Sequence, residues 1–191
     1  MSRRSERLNR HGRPILYGMA MDTRRCVACQ ACVLACKAEN EVPLGGFRDW
    51  VVTEVRGRFP ALSAENRSER CNHCGASPCV SACPTGASHV ADGGAVVVSR
   101  NRCTGCKACV AACPYGARYV HPEGFVDKCT FCLHRVEAGR PPACAEVCPT
   151  RSLTFGDLND PDSDVAKLVA SRRWHVSKPE AGLTPHLFFL E

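Results

Sequence analysis

The sequence predicts an α+β chain of short helices, tight hairpins and cysteine-rich loops, and three observations carry that prediction. All sixteen cysteines of the 191-residue chain fall into four compact runs, and none is left over. Turn signals flanked by branched residues lie between the runs, in "GASHVADGGAVVVSRNRC" and "ARYVHPEGFVDKC". Aromatic residues make up only 6% of the chain while 15 glycines and 13 prolines punctuate it, a composition suited to loops wrapped around inorganic cores.

Residues 1–14 read as a basic, mobile tail. Arg3 and Arg4 form a twin arginine, yet only polar residues and the short "PILYGMAM" follow before Asp22, so no export signal of its own is expected. The first run is Cys26, Cys29, Cys32 and Cys36, with Lys37 after it, and "FRDWVVTEVRGRFP" follows as a strand. The second is Cys71, Cys74, Cys79 and Cys83, leading into a hairpin that turns at Asp92, Gly93 and Gly94. The third is Cys103, Cys106, Cys109 and Cys113; a second hairpin joins it to the fourth, Cys129, Cys132, Cys144 and Cys148. The acidic stretch "DPDSD" then caps a short helix, and the chain ends in the extended, apolar "KPEAGLTPHLFFLE".

The third run has the spacing C-x2-C-x2-C-x3-C-P, which holds cubane iron–sulfur clusters in bacterial ferredoxins. Three cysteines at steps of three direct their thiolates at one small core. The fourth points elsewhere and in two-cluster ferredoxins ligates the neighbouring cluster. The other runs vary the second gap but keep the closing C-x3-C. Disulfides fit poorly, because adjacent C-x2-C cysteines are poor mutual partners and no secretory context is present. Structural zinc draws two cysteines from each of two separated knuckles, unlike four dense runs. A single thioredoxin-like C-x-x-C pair is ruled out because no pair stands apart from its run.

The formal charge of +6 would fit a nucleic-acid or membrane surface. Sixteen thiolates around four Fe4S4 cores add about −8 and leave about −2, which removes the basis for nucleic-acid binding. No apolar run is long enough to span a membrane. His73, His89, His121 and His134 are expected in turns or on the surface, since the cysteine count is already complete. Lys37, Arg102, Lys107 and Lys128 flank cysteines and are expected as solvated cations, with tuning of cluster potentials as the alternative. Trp50 and Trp174 read as packing or interface residues. Two cluster pairings stay open on spacing alone: sequential, joining runs one with two and three with four, or nested, joining two with three and one with four.

The stretches "MAMDTRRCVACQACVLACKAENEVP", "RCNHCGASPCVSACPTGAS", "CTGCKACVAACPYGARYVHPEGFVDKCTFCLHR" and "PACAEVCPTRSLTFGDLNDPDSDVAKL" resemble the four-cluster iron–sulfur subunits of membrane-bound molybdopterin oxidoreductases, in particular those of polysulfide, tetrathionate and dimethyl sulfoxide reductases. The resemblance implies two ferredoxin-like halves with nested pairing. The outer half is residues 15–67 and 121–160, the inner half 68–120, and 161–191 a C-terminal helix and docking tail. It implies four 4Fe-4S clusters: one on Cys26, Cys29, Cys32 and Cys148, one on Cys36, Cys129, Cys132 and Cys144, one on Cys83, Cys103, Cys106 and Cys109, and one on Cys71, Cys74, Cys79 and Cys113. The implied spatial order begins at run one beside a molybdopterin catalytic subunit with molybdenum or tungsten. It continues through runs four and three and ends at run two beside a polytopic quinone-reactive membrane subunit. Nitrate reductase relatives carry tryptophan at the second cysteine of run three and a three-iron cluster there; Cys106 implies a cubane instead.

The function implied is non-catalytic electron transfer from a peripheral position on a membrane complex, on the cytoplasmic face or exported with a partner. A soluble polyferredoxin carrier is the alternative. The apolar end, with Phe188, Phe189 and Leu190, favours the obligate subunit.

Overall fold

The computed structural model describes residues 7–191. In chain order the elements are β1 (Tyr17–Asp22), α1 (Ala31–Glu39), β2 (Asp49–Arg58), β3 (Ala61–Arg70), α2 (Pro78–Ser81), β4 (Ser88–Val90), β5 (Val96–Val98) and α3 (Ala108–Ala111). They continue with β6 (Tyr119–Val120), β7 (Val126–Asp127), α4 (Leu133–Glu137), α5 (Ala143–Glu146), β8 (Leu153–Asp157), α6 (Asp164–Ser171), β9 (Trp174–His175) and β10 (Leu187–Leu190). The class is α+β, as expected, with elements short enough that cysteine loops occupy much of the interior.

One four-stranded sheet, in the order β8-β1-β10-β9, ties the two ends of the chain together. β1 and β10 run parallel in the register Met19↔Leu187 to Asp22↔Leu190, and β8 pairs antiparallel with the other edge of β1. Parallel strands buried on both faces need continuous apolar sequence. Met19, Ala20, Met21, Leu187, Phe189 and Leu190 supply it, each no more than 1% exposed. Across one face lies α6, whose Val165 packs on Ala20 and Leu190; its N-terminus is capped by Ser163, which accepts from the Ala166 N–H at 3.2 Å.

Two expectations change here. The apolar C-terminal segment is not a tail held out for a partner. It is an internal strand of the main sheet, because β1 offers an unpaired parallel edge and an apolar face that Leu187, Phe189 and Leu190 cover. Residues 7–14 are not free either, while residues 1–6, with Arg3 and Arg4, lie outside the described residues. Asn9 donates to Asp157 at 2.8 Å, Asn159 donates to the Pro14 carbonyl at 2.7 Å, and Arg10 pairs with Asp160 and Asp162.

The strand expected after the first run is β2, but it does not stand alone: β3 pairs with it along its whole length, Asp49↔Arg70 to Arg58↔Ala61. β3 reads Ala-Leu-Ser-Ala-Glu-Asn-Arg-Ser-Glu-Arg, weak in strand formers, so only the pairing makes it a strand. The ribbon's base is buried at Asp49, Ser68, Glu69 and Arg70, while its tip holds exposed Val55, Phe59 and Leu62. Both expected hairpins form, β4 with β5 and β6 with β7. Gly93 and Gly94 take φ of 71° and 74° in the first turn, the left-handed region that favours glycine. Among the described residues no helix is long and apolar enough to cross a membrane.

Phe189→Ala is expected to cost about 3–5 kcal/mol, the usual loss for a fully buried phenylalanine. Phe188→Ala, half-buried against the edge of Trp174, should cost clearly less. Equilibrium unfolding in guanidinium chloride, followed by circular dichroism, checks the difference; equal small losses would mean the terminal strand is not part of the core.

Candidate metal centres

Each run begins with the same backbone device. The residue before the second cysteine is left-handed in all four: Ala28 (φ 54°), His73 (φ 45°), Gly105 (φ 69°) and Phe131 (φ 55°). Only run three uses glycine there, and it must, since a Cβ on Gly105 would lie 2.2 Å from the Gly124 carbonyl oxygen. The reversal turns the loop's N–H groups inward; in run four the Phe131 N–H donates to Cys129 Sγ at 3.4 Å. Similar donors reach other sulfurs: Val126 N–H to Cys103, Ser88 N–H to Cys83 and Ser152 N–H to Cys148, at 3.3–3.4 Å. A sulfur that accepts N–H bonds is stabilised as thiolate, the form that binds metal.

The thiols gather by fours, and each four mixes two runs. Cys36, Cys129, Cys132 and Cys144 line one small cavity together. A second is lined by Cys83, Cys103, Cys106 and Cys109. The charges of Cys148 and Cys29 act on Cys26, and those of Cys71, Cys79 and Cys113 on Cys74. Cys32 lies one helical turn before Cys36 on α1, in the apolar cluster against which Cys26 packs.

Contacts between the fours put them in a row. Cys32 lies within the field of Cys144, and Cys129 within that of Cys71. Cys79 shares an apolar cluster with Cys109, Val96 and Val126, and Cys103 packs against it. The order is therefore run one, run four, run two, run three, which corrects the order implied by the resemblance. Run two is interior because Cys71 sits in the central core beside Cys129 and Cys144, whereas run three reaches the surface at Cys106.

Burial opposes ionisation of the inner thiols: it pushes Cys32 up to about 11, and Cys74 and Cys129 up to about 12. Two outer thiols go the other way. Partial burial raises Cys83 and Cys148, but bonds from the Ser88 N–H and Thr85, and from Ser152 and Thr150, outweigh it and hold both below the ordinary thiol range. Buried cations face the inner sulfurs. Arg70 donates to Cys144 Sγ at 2.9 Å and pairs with Asp49 at 3.3 Å; Arg118 donates to Cys79 Sγ at 2.9 Å. Asn40 donates to Cys132 and Cys36 Sγ at 3.6 and 3.7 Å, its amide oriented by Arg48, which is itself bidentate to Asp127.

Lys128, expected on a solvated surface, is 1% exposed and donates to the carbonyls of Val96 and Cys129, because the β5 and run-four backbones close over it. His73, expected in a turn or on the surface, lies in the run-two loop with left-handed backbone and is fully buried, stacked on Phe131 at 3.7 Å and accepting the Val96 N–H; burial and the nearby Lys128 hold its imidazole well below its ordinary pKa. Arg102, Lys107 and His134 are exposed, and Lys37 is half-buried over the Phe47 ring. Trp50 packs on the core and Trp174 remains 43% exposed. Arg70, Arg118, Asn40 and Arg48 escaped the sequence reading. A basic residue directly before the first cysteine of every run (Arg25, Arg70, Arg102, Lys128) was the available signal.

The donor chemistry fits cubane iron–sulfur groups: four thiols per site, N–H donors aimed at sulfur, and buried cations awaiting counter-charge. Arg118 leaves Nε and Nη1 buried with no hydrogen-bond partner, a cost that a cluster's negative charge relieves. The fold and these sites define a ferredoxin-like iron–sulfur protein.

The 4Fe-4S dicluster domain family matches residues 63–158, and the 4Fe-4S binding domain family residues 23–39. A tetrathionate reductase subunit of Salmonella typhimurium is 44% identical over 91% of this chain and 72% of its own length. A polysulfide reductase polypeptide of Wolinella succinogenes is 44% identical over 91% and 93%. The thiosulfate reductase electron transfer subunit of Salmonella typhi is 46% identical over 82% of each. The chain belongs to this family of iron–sulfur, electron-transfer subunits of reductases, and is not a catalytic subunit.

Arg70→Met is expected to cost about 3–5 kcal/mol, because it leaves Asp49 buried and unpaired. Adding Asp49→Asn should recover a large part of that loss. Comparing unfolding midpoints of the single and double variants checks the pairing; additive losses would mean that the two charges do not compensate each other.

Proposed function

We propose that the chain holds four 4Fe-4S clusters and relays single electrons between a molybdopterin catalytic subunit and a quinone-reactive membrane subunit. Cys26, Cys29, Cys32 and Cys148 hold the first and Cys36, Cys129, Cys132 and Cys144 the second. Cys71, Cys74, Cys79 and Cys113 hold the third and Cys83, Cys103, Cys106 and Cys109 the fourth. The observation that carries this reading is the row of four thiol groups whose only exposed cysteines, among the described residues, are Cys29 in the group at one end and Cys106 in the group at the other. When bound, the clusters supply one-electron redox chemistry at iron.

The chain's own residues set the path. Helix α1 joins the first group to the second through Cys32 and Cys36, and the stacked His73 and Phe131 fill the space between the second and third. Burial of the inner thiols keeps water from the middle of the row, so charge enters and leaves at the ends.

Those ends differ in chemistry, as two different partners require. Around Cys29 stand exposed Val27 and Leu34 with the exposed cations Arg24 and Arg25, an apolar patch with a basic rim that takes the docking role expected of the C-terminal segment. Around Cys106 stand exposed Lys107 and Arg102. The Cys29 end is assigned to the catalytic subunit and the Cys106 end to the membrane subunit, with the chain peripheral to the membrane. The outer half comprises residues 15–67 and 121–160, and the inner half 68–120. A soluble polyferredoxin carrier would instead purify free of any large chain.

Anaerobically purified protein is expected to contain about sixteen iron and sixteen acid-labile sulfide per chain, four cubanes' worth. Stoichiometric zinc with little iron would end this reading. Cys148→Ser should damage the cluster of Cys26, Cys29 and Cys32, seen as loss of up to about four iron with the other clusters' spectra intact. Damage confined to a run-three cluster would require sequential pairing. Cys106→Trp should convert the Cys106 cluster alone to a three-iron form, read as a new paramagnetic signal in the oxidised protein.

A further inference from the structure

Each gap between neighbouring thiol groups holds one buried cation. Arg70 stands between the first and second groups, within the field of Cys32, Cys129 and Cys144. Lys128 stands between the second and third, its charge acting on Cys129 and Cys79. Arg118, 5% exposed, stands between the third and fourth, bonded to Cys79 Sγ and to Ser88 Oγ at 2.8 Å and within the field of Cys109 and Cys71.

The three are not equivalent. Arg70 is neutralised by buried Asp49, whose own charge also bears on Cys32 and Cys26. Among the described residues neither Lys128 nor Arg118 has a carboxylate within salt-bridge distance: Lys128 meets two carbonyls, and Arg118 a thiol and a hydroxyl. Isolated buried cations are costly, and the counter-charge that relieves them here is the negative charge of thiolates and cluster. Both uncompensated cations border one group, Cys71, Cys74, Cys79 and Cys113.

We propose that Lys128 and Arg118 together make the cluster of Cys71, Cys74, Cys79 and Cys113 the most easily reduced of the four, an electron reservoir inside the relay. The inference rests on the cluster reading above. One electron, released as a neighbouring cluster is oxidised, takes this core from 2+ to 1+; no proton moves and no bond is broken. The added charge lies beside two fixed cations in a medium of low effective dielectric, where the Coulomb interaction is several times stronger than in water. The neighbouring groups each border only one of these two cations, and the first group borders neither.

The test is a reductive titration of the whole protein followed by electron paramagnetic resonance. Iron is counted first, and the signal is assigned by its loss in Cys74→Ser. In the native protein the first signal to appear on reduction should be the one lost in Cys74→Ser. Lys128→Gln and Arg118→Gln should each lower its equilibrium constant for reduction at least tenfold, which is about 59 mV for one electron. Arg118→Lys should retain most of the native value, and Lys107→Gln, on the exposed surface, should change it less than about twofold. Should either glutamine variant fail to keep its iron, Ser88→Asp neutralises Arg118 in place and should give the same fall.

Unchanged constants in iron-replete Gln variants or in Ser88→Asp, or a first-reduced signal that survives Cys74→Ser, would overturn the charge proposal alone. A native iron count short of four cubanes would instead overturn the reading beneath it.

Discussion

Cys32 and Cys36 sit one turn apart on α1, yet their thiols enter different groups, and the same division recurs at Cys79 and Cys83, Cys109 and Cys113, and Cys144 and Cys148. In ferredoxin-type runs the first three cysteines turn to one core and the fourth, after C-x3-C, is left for a neighbouring group. A fourth cysteine must look for a partner run, and the rest of the molecule is arranged to supply one. The β4–β5 hairpin returns run three to run two. Pairing of β1 with both β8 and β10 brings run four back to run one. Loop-closure entropy rises only slowly with length, so closing the long outer loop is feasible once the sheet contributes its apolar burial.

Part of the buried polar set faces sulfur: Arg70, Arg118, Ser68, Ser88 and Ser152 each bond a cysteine. Arg70, Lys128 and Arg118 would be anomalous in an ordinary core of this size, as would the unpartnered atoms of His73, Tyr115 and Arg118. They fit a core whose buried side chains include eight cysteine thiols. The surface cations around Cys106 are screened by solvent and act on docking more than on the energetics of the interior.

The two ends of the row are built differently from its middle. Cys29 and Cys106 are exposed, while β2 and β3 carry an apolar tip away from the core, with Asn66 on the ribbon donating to the Cys26 carbonyl. Interior rigidity and open termini follow from one layout: loops close over neighbouring loops, and the end groups have a neighbour on only one side.

Cysteine spacing pointed to iron–sulfur chemistry, and glycine turn signals between branched residues to both hairpins and the α+β class, because these are set by residues within a few positions of one another. They did not disclose β3, whose residues are poor strand formers and are extended only by pairing with β2, nor the role of the last residues, whose apolarity fits an internal strand as well as a docking tail. Nor did they order the groups. Arg25, Arg70, Arg102 and Lys128 each precede the first cysteine of a run, identical signs in identical positions, and two are exposed while two are fully buried. Sequence places a cation directly before the first cysteine of each run. Whether that cation feels water or protein depends on whether the run lies at an end of the row or inside it, and only the packing of all four runs together decides that.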